Sequence, residues 1–127
     1  GAFQERIAPG AFANVLEDDV RLLINHDGVP LARTSNGTLE LKEDEDGLYY
    51  RGVLSDTQAG RDLYTMIQRG DISQSSFAFT ISEESVDEDG VRVIEKVGRL
   101  IDVSPVTYPA YQAASVFARA EQQHEND

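Results

Sequence analysis

From Ser76 to Ile81 the chain reads Ser-Phe-Ala-Phe-Thr-Ile, a strict alternation of small or polar side chains with large apolar ones. Period-two alternation is the mark of a strand with two unlike faces. Phe77, Phe79 and Ile81 form a face that can be buried in a core. Ser76, Ala78 and Thr80 turn the other way, onto a face expected to stay open enough for a substrate chain to lie across it. A strand serine is ordinarily only a strand residue. Ser76 becomes a candidate nucleophile if the fold brings a base and an orienting group to it, and His26 upstream and Asp102 downstream are the residues able to play those parts.

The rest of the chain supplies a setting for that strand. Val20 to Asn25 reads as a strand, with His26 continuing its parity and Asp27-Gly28 turning the chain. Val29 to Arg33, Thr38 to Glu43 and Gly47 to Leu54 read as further strands, the last two joined at Asp44-Glu45-Asp46-Gly47 as a solvated hairpin tip. Ser55-Asp56-Thr57 caps the clearest helix, Gln58 to Arg69, whose Leu63, Met66 and Ile67 form an apolar stripe and whose end is marked by Gly70. Ala11 to Leu16 predicts a short helix, and Glu83 to Gly90 an acidic turn region. Val91 to Val103 predicts a long strand with a bulge or bend at Gly98. Pro105 to Tyr111 reads as a loop, and Ala113 to Ala118 as a last strand or short helix. Residues 119–127 form a polar tail, leaving a single domain over 1–118. The expected class is α+β, mainly β: an antiparallel sheet or small barrel with helices packed outside.

Composition narrows the function. In 127 residues there are 23 acidic and 11 basic side chains, a net charge of −12. Such a surface repels nucleic-acid phosphates and anionic membranes, so neither is an expected partner. Cysteine is absent, which removes disulfides, thiolate metal sites and a cysteine nucleophile. The acidic turns lack the oxygen spacing of a calcium loop, so no metal or cofactor is expected. No apolar run reaches the roughly 20 residues of a membrane span. The chain opens at Gly1-Ala2-Phe3 without methionine, as a trimmed or processed form would.

Two histidines are present, and His124 falls in the polar tail. His26 is either a polar strand end or a general base, since imidazole titrates near neutrality and can shuttle the proton that makes a serine hydroxyl nucleophilic. Asp102, inside the apolar run Leu100-Ile101-Asp102-Val103, needs a partner to offset its burial. That partner is either Arg92 or Arg99 in a salt bridge, or the imidazole of a catalytic triad.

Taken in order, several stretches resemble the prohead (capsid maturation) serine protease family of tailed phages. They are Ile7-Ala8-Pro9-Gly10-Ala11-Phe12, Asn25-His26-Asp27, Gly47-Leu48-Tyr49, Leu54-Ser55-Asp56-Thr57 with Gly60-Arg61, Ser75-Ser76-Phe77-Ala78-Phe79, and Asp102-Val103-Ser104-Pro105-Val106-Thr107-Tyr108-Pro109-Ala110. The resemblance implies a relationship to the herpesvirus assemblins and their antiparallel barrel surrounded by helices. It also implies a serine endopeptidase with Ser76 as nucleophile, His26 as base and Asp102 as orienting residue. Ala78 stands where the family usually has glycine. The implied substrates are scaffold segments and extensions of the major capsid protein, with self-cleavage besides, inside the assembling prohead in the host cytoplasm. The alternative is a non-catalytic acidic scaffold or docking module on the same barrel, because a fold does not fix a function.

Overall fold

The computed structural model describes residues 5–108. It is mainly β, with seven strands, one α-helix and one short 3-10 helix (Thr34–Asn36) among the described residues. Strands β1 (Glu5–Ile7), β2 (Arg21–Ile24) and β3 (Asp27–Arg33) precede a hairpin of β4 (Leu39–Asp44) and β5 (Gly47–Gly52). Helix α1 (Gln58–Arg69) then leads into the long strands β6 (Gln74–Val86) and β7 (Arg92–Val106).

Strand β7 is the spine. β6 lies antiparallel along one edge of it, from Gln74 opposite Val106 to Val86 opposite Arg92. Its other edge is shared: β1 pairs in parallel with residues 92–94, and β2 with residues 102–103. The expected antiparallel sheet therefore carries two short parallel contacts, and it does not close into a barrel among the described residues. Among the described residues a single α-helix lies outside it, where helices in the plural were expected.

The segment from Ala8 to Asp18 fills the stretch of β7 between β1 and β2. Ala8 N–H donates to the Ile94 carbonyl and Val97 N–H to the Ala11 carbonyl, both at 2.9 Å. The Asn14 amide reaches the Val97 carbonyl, and Asp18 Oδ2 accepts the Leu100 N–H at 3.0 Å. This explains why Ala11 to Leu16 is not the expected helix. Its own bonds are single turns, Ala13 to Gly10 and Val15 to Phe12. An isolated six-residue helix gains little in water, whereas this path buries Ala11, Phe12 and Val15 while serving β7.

The helix is as its sequence predicts. The Thr57 hydroxyl caps the Gly60 N–H at 3.1 Å, and Gly70 ends the helix in the left-handed region at φ 85°. A Cβ on Gly60 would sit 2.0 Å from the Ser55 carbonyl oxygen, so only glycine lets the capping loop lie this close. Leu63 is fully buried, and one apolar core is backed by both sheets, with Leu39 and Leu48 of the hairpin in the same cluster as Phe79, Ile94 and Val97. The Phe77 and Phe79 rings meet Phe12 edge-on at 6.1 and 5.6 Å. The aromatic face of β6 thus reaches the core expected of it.

Three boundaries move. β6 runs on to Val86, so the acidic turn is only Asp87 to Gly90. β7 continues through Pro105 to Val106, because Pro105 pairs with Ser75 and offers its carbonyl to Asn25. The chain reverses at Asn25-His26, not at Asp27-Gly28: Ile24 pairs with Asp27, and both corner residues have positive φ, 54° and 58°. Gly98 is skipped in the β6–β7 pairing, as a bulge there predicts. The stretches 109–118 and 119–127, with Pro109, Tyr111 and His124, lie outside the described residues.

Candidate active site

Ser76 opposes Ser104, and Ala78 opposes Asp102, across the β6–β7 ladder. Residues directly opposite share a sheet face, and so do alternate residues of one strand. Ser76, Ala78, Asp102 and Ser104 therefore form one small polar patch. A second bulge makes this possible. Phe79 opposes Leu100, so Ile101 has no partner, and the parity of β7 changes there. Leu100 and Val103 can both enter the core while Asp102 stays on the serine face. Without the extra residue, burying Leu100 would carry Asp102 into the same core.

That face is covered, contrary to the open surface expected of it: Ser76 is 7% exposed and Ala78 fully buried. The β2–β3 turn lies against the end of β7. Asn25 N–H donates to the Pro105 carbonyl at 3.0 Å, and His26 N–H to Ser104 Oγ at 3.1 Å. The Asn25 side chain closes a reciprocal pair with Thr107, its amide donating to the hydroxyl at 3.0 Å and its carbonyl accepting the Thr107 N–H at 2.9 Å. These bonds hold two left-handed corners that are uncommon outside glycine, though tolerated by asparagine and histidine.

The turn delivers its imidazole to Asp102. His26 Nδ1 lies 2.6 Å from Asp102 Oδ1, both side chains 4% exposed. Asp102 also accepts the Ser104 hydroxyl at 2.9 Å. Of the two partners open to Asp102, the structure thus selects the imidazole; Arg92 bonds Glu84 instead. A carboxylate only accepts, so Nδ1 carries a proton, and in the neutral ring Nε2 keeps the lone pair. Nε2 is buried and has no hydrogen-bond partner among the described residues, so no hydrogen bond joins it to Ser76. Of the three candidates, His26 and Asp102 are in direct contact; Ser76 sits on the same face, across the ladder from Ser104. Catalytic hydrogen bonds to a nucleophile are often long without substrate and tighten in its presence.

Beside this patch a cleft of about 880 Å³ opens between α1, the end of β5 and the start of β6. Tyr50, Leu54, Leu63, Ile67 and Ile72 give it an apolar wall, and Ser75 and Pro105 carry its rim to the neighbours of Ser76 and Ser104. Burial raises the Tyr50 phenol above its ordinary range, and its hydrogen bond to Ser75 pulls the other way.

A mainly β sheet holding a hydroxyl, an imidazole and a carboxylate within one patch has the parts of a serine hydrolase site. Among known proteins, the family of caudovirus prohead serine proteases matches residues 1–127, and this chain belongs to that family. It is 31% identical over 120 residues to the prohead protease of Enterobacteria phage HK97, an alignment covering 88% of this chain and 51% of that protein. The chain thus spans about half the length of the curated relative it matches. No solved structure matches it.

Sequence reasoning singled out His26, Ser76 and Asp102 but passed over Ser104 and Thr107. A signal was present for Ser104: two positions after a carboxylate on a strand, it had to share that carboxylate's face.

Proposed function

We propose that the chain is the proteolytic domain, over residues 1–118, of a serine endopeptidase that trims the major capsid protein and scaffold segments within the assembling prohead in the host cytoplasm, and its own ends besides. The observation that carries this reading is the buried His26–Asp102 pair at 2.6 Å, set on the sheet face that also bears Ser76. Family membership supports the reaction class. The expected barrel belongs to this reading as well, since both sheets back onto one core as the walls of a small barrel do.

In the proposed mechanism Ser76 Oγ attacks the scissile carbonyl as His26 Nε2 takes its proton. Asp102 keeps the other ring nitrogen protonated and stabilises the imidazolium. The imidazolium then returns the proton to the leaving amine, and water activated at Nε2 releases the acyl group. The apolar cleft receives side chains of the substrate on one side of the scissile bond.

The test incubates the chain and its Ser76→Ala variant in parallel with capsid protein bearing its scaffold segment, followed by intact mass. Cleavage by the native chain alone is expected and identifies the bond. Equal cleavage by both removes Ser76 from the mechanism. Cleavage by neither favours a docking module.

A further inference from the structure

We propose that Ser104 is a positioning residue of this site, one that fixes both the turn bearing His26 and the rotation of the Asp102 carboxylate. The inference rests on the role given above to the His26–Asp102 pair. Ser104 is fully buried and lies directly opposite Ser76. Its hydroxyl accepts the His26 backbone N–H at 3.1 Å and donates to Asp102 Oδ1 at 2.9 Å.

The direction of each bond follows from chemistry. A backbone N–H can only donate, so the hydroxyl must accept there. An ionised carboxylate can only accept, so the single hydroxyl proton is committed to Asp102. With His26 Nδ1 on the same carboxylate oxygen at 2.6 Å, the ring closes: His26 backbone, Ser104, Asp102, His26 imidazole. One serine thus ties the main chain of the base to the group that orients its side chain. The link matters because His26 sits at φ 58°, a conformation that persists only where its surroundings over-determine it. Alanine at 104 would leave the His26 N–H without this acceptor and would free the carboxylate to rotate. Neither effect requires contact between Ser104 and substrate.

The experiment compares the full chain with Ser104→Ala and Ser104→Thr, the second keeping the hydroxyl. Long-range ¹H–¹⁵N correlation reads the tautomer of the His26 ring, and a fluorophosphonate probe reads the reactivity of Ser76 by mass. In the native chain the Nδ1–H tautomer should dominate. In Ser104→Ala it should become a mixture, with labelling slowed about 10- to 100-fold, the scale of losing one hydrogen bond to a charged group. Ser104→Thr should restore both.

An unchanged tautomer in Ser104→Ala overturns the inference whatever the labelling rate. So does a Ser104→Thr variant with a native amide spectrum that restores neither readout; if that variant does not fold, the alanine arm decides alone. Absence of labelling in the native chain would instead count against Ser76 as nucleophile, and the tautomer readout would still decide the role of Ser104.

Discussion

The chain contains two hairpin turns of the same length with opposite fates. Glu45-Asp46 joins Asp44 to Gly47 at the far end of β4–β5, and its residues are exposed. Its order is local: Asp44 Oδ1 accepts the Asp46 N–H at 2.8 Å. Asn25-His26 joins Ile24 to Asp27 with both corners left-handed, and it is tied to Ser104 and Pro105 of β7 and to Thr107 just beyond its end. The first turn needs only itself and water. The second adopts a backbone its residues do not favour, because strand neighbours distant in sequence hold it there. Strain is kept where it aims a side chain and is absent where nothing needs aiming.

Asp102→Asn should do most harm, lowering turnover by about 10⁴-fold, the scale seen when a triad aspartate can no longer fix the imidazole tautomer. A loss under tenfold in the capsid-protein cleavage assay would mean that the tied turn is structural and serves no proton transfer.

The turns themselves come next. Asn25→Ala loses both bonds to Thr107 and leaves a poor residue at φ 54°, for about 1–3 kcal/mol in denaturant unfolding. Asn25→Gly, which removes the same bonds without the strain, should cost less. Glu45→Ala, on the solvated turn, should stay within about 0.5 kcal/mol. Equal costs for Asn25→Ala and Glu45→Ala would erase the distinction.

The smallest effect sharpens where the β4–β5 hairpin is anchored, in a strand and not at its tip. Tyr50 of β5 bonds Ser75 and packs edge-on to Phe77 at 6.1 Å. Burial raises its phenol above the ordinary 10.0. A phenol raised in the fold favours the fold while neutral, so that contribution is complete below the ordinary value and declines as pH rises through it. Tyr50→Phe should flatten this alkaline decline in unfolding measurements. An unaltered decline would place the titrating group elsewhere.

Where local chemistry decides the outcome, the sequence was readable. Helix α1 carries its stripe, its Thr57 cap and its Gly70 stop within its own residues, and the β4–β5 hairpin carries its turn. Ala11 to Leu16 misled because its apolar spacing suits a helix, while its backbone is drawn into pairing with β7, a partner far along the chain. Asp27-Gly28 misled because it is the stronger turn dipeptide, and only the bonds to Ser104, Pro105 and Thr107 move the corner back to Asn25-His26. The candidate site was legible only as residue types and through family likeness, and of its three residues the structure joins two, His26 and Asp102. The choice of partner for Asp102 was not legible, because it depends on the bulge at Ile101, which the run Leu100-Ile101-Asp102-Val103 does not announce.

The order of the strands also sets a timetable. His26 leaves the ribosome first, on the β2–β3 turn, and Asp102 follows 76 residues later on β7. Until β7 emerges, β2 has no spine to pair with, the Asn25-His26 corner has nothing to hold it, and the imidazole has no carboxylate beside it. Pairings this far apart in sequence form slowly. The contact between imidazole and carboxylate is therefore among the last the fold can make, since it needs both the turn after β2 and the far end of β7.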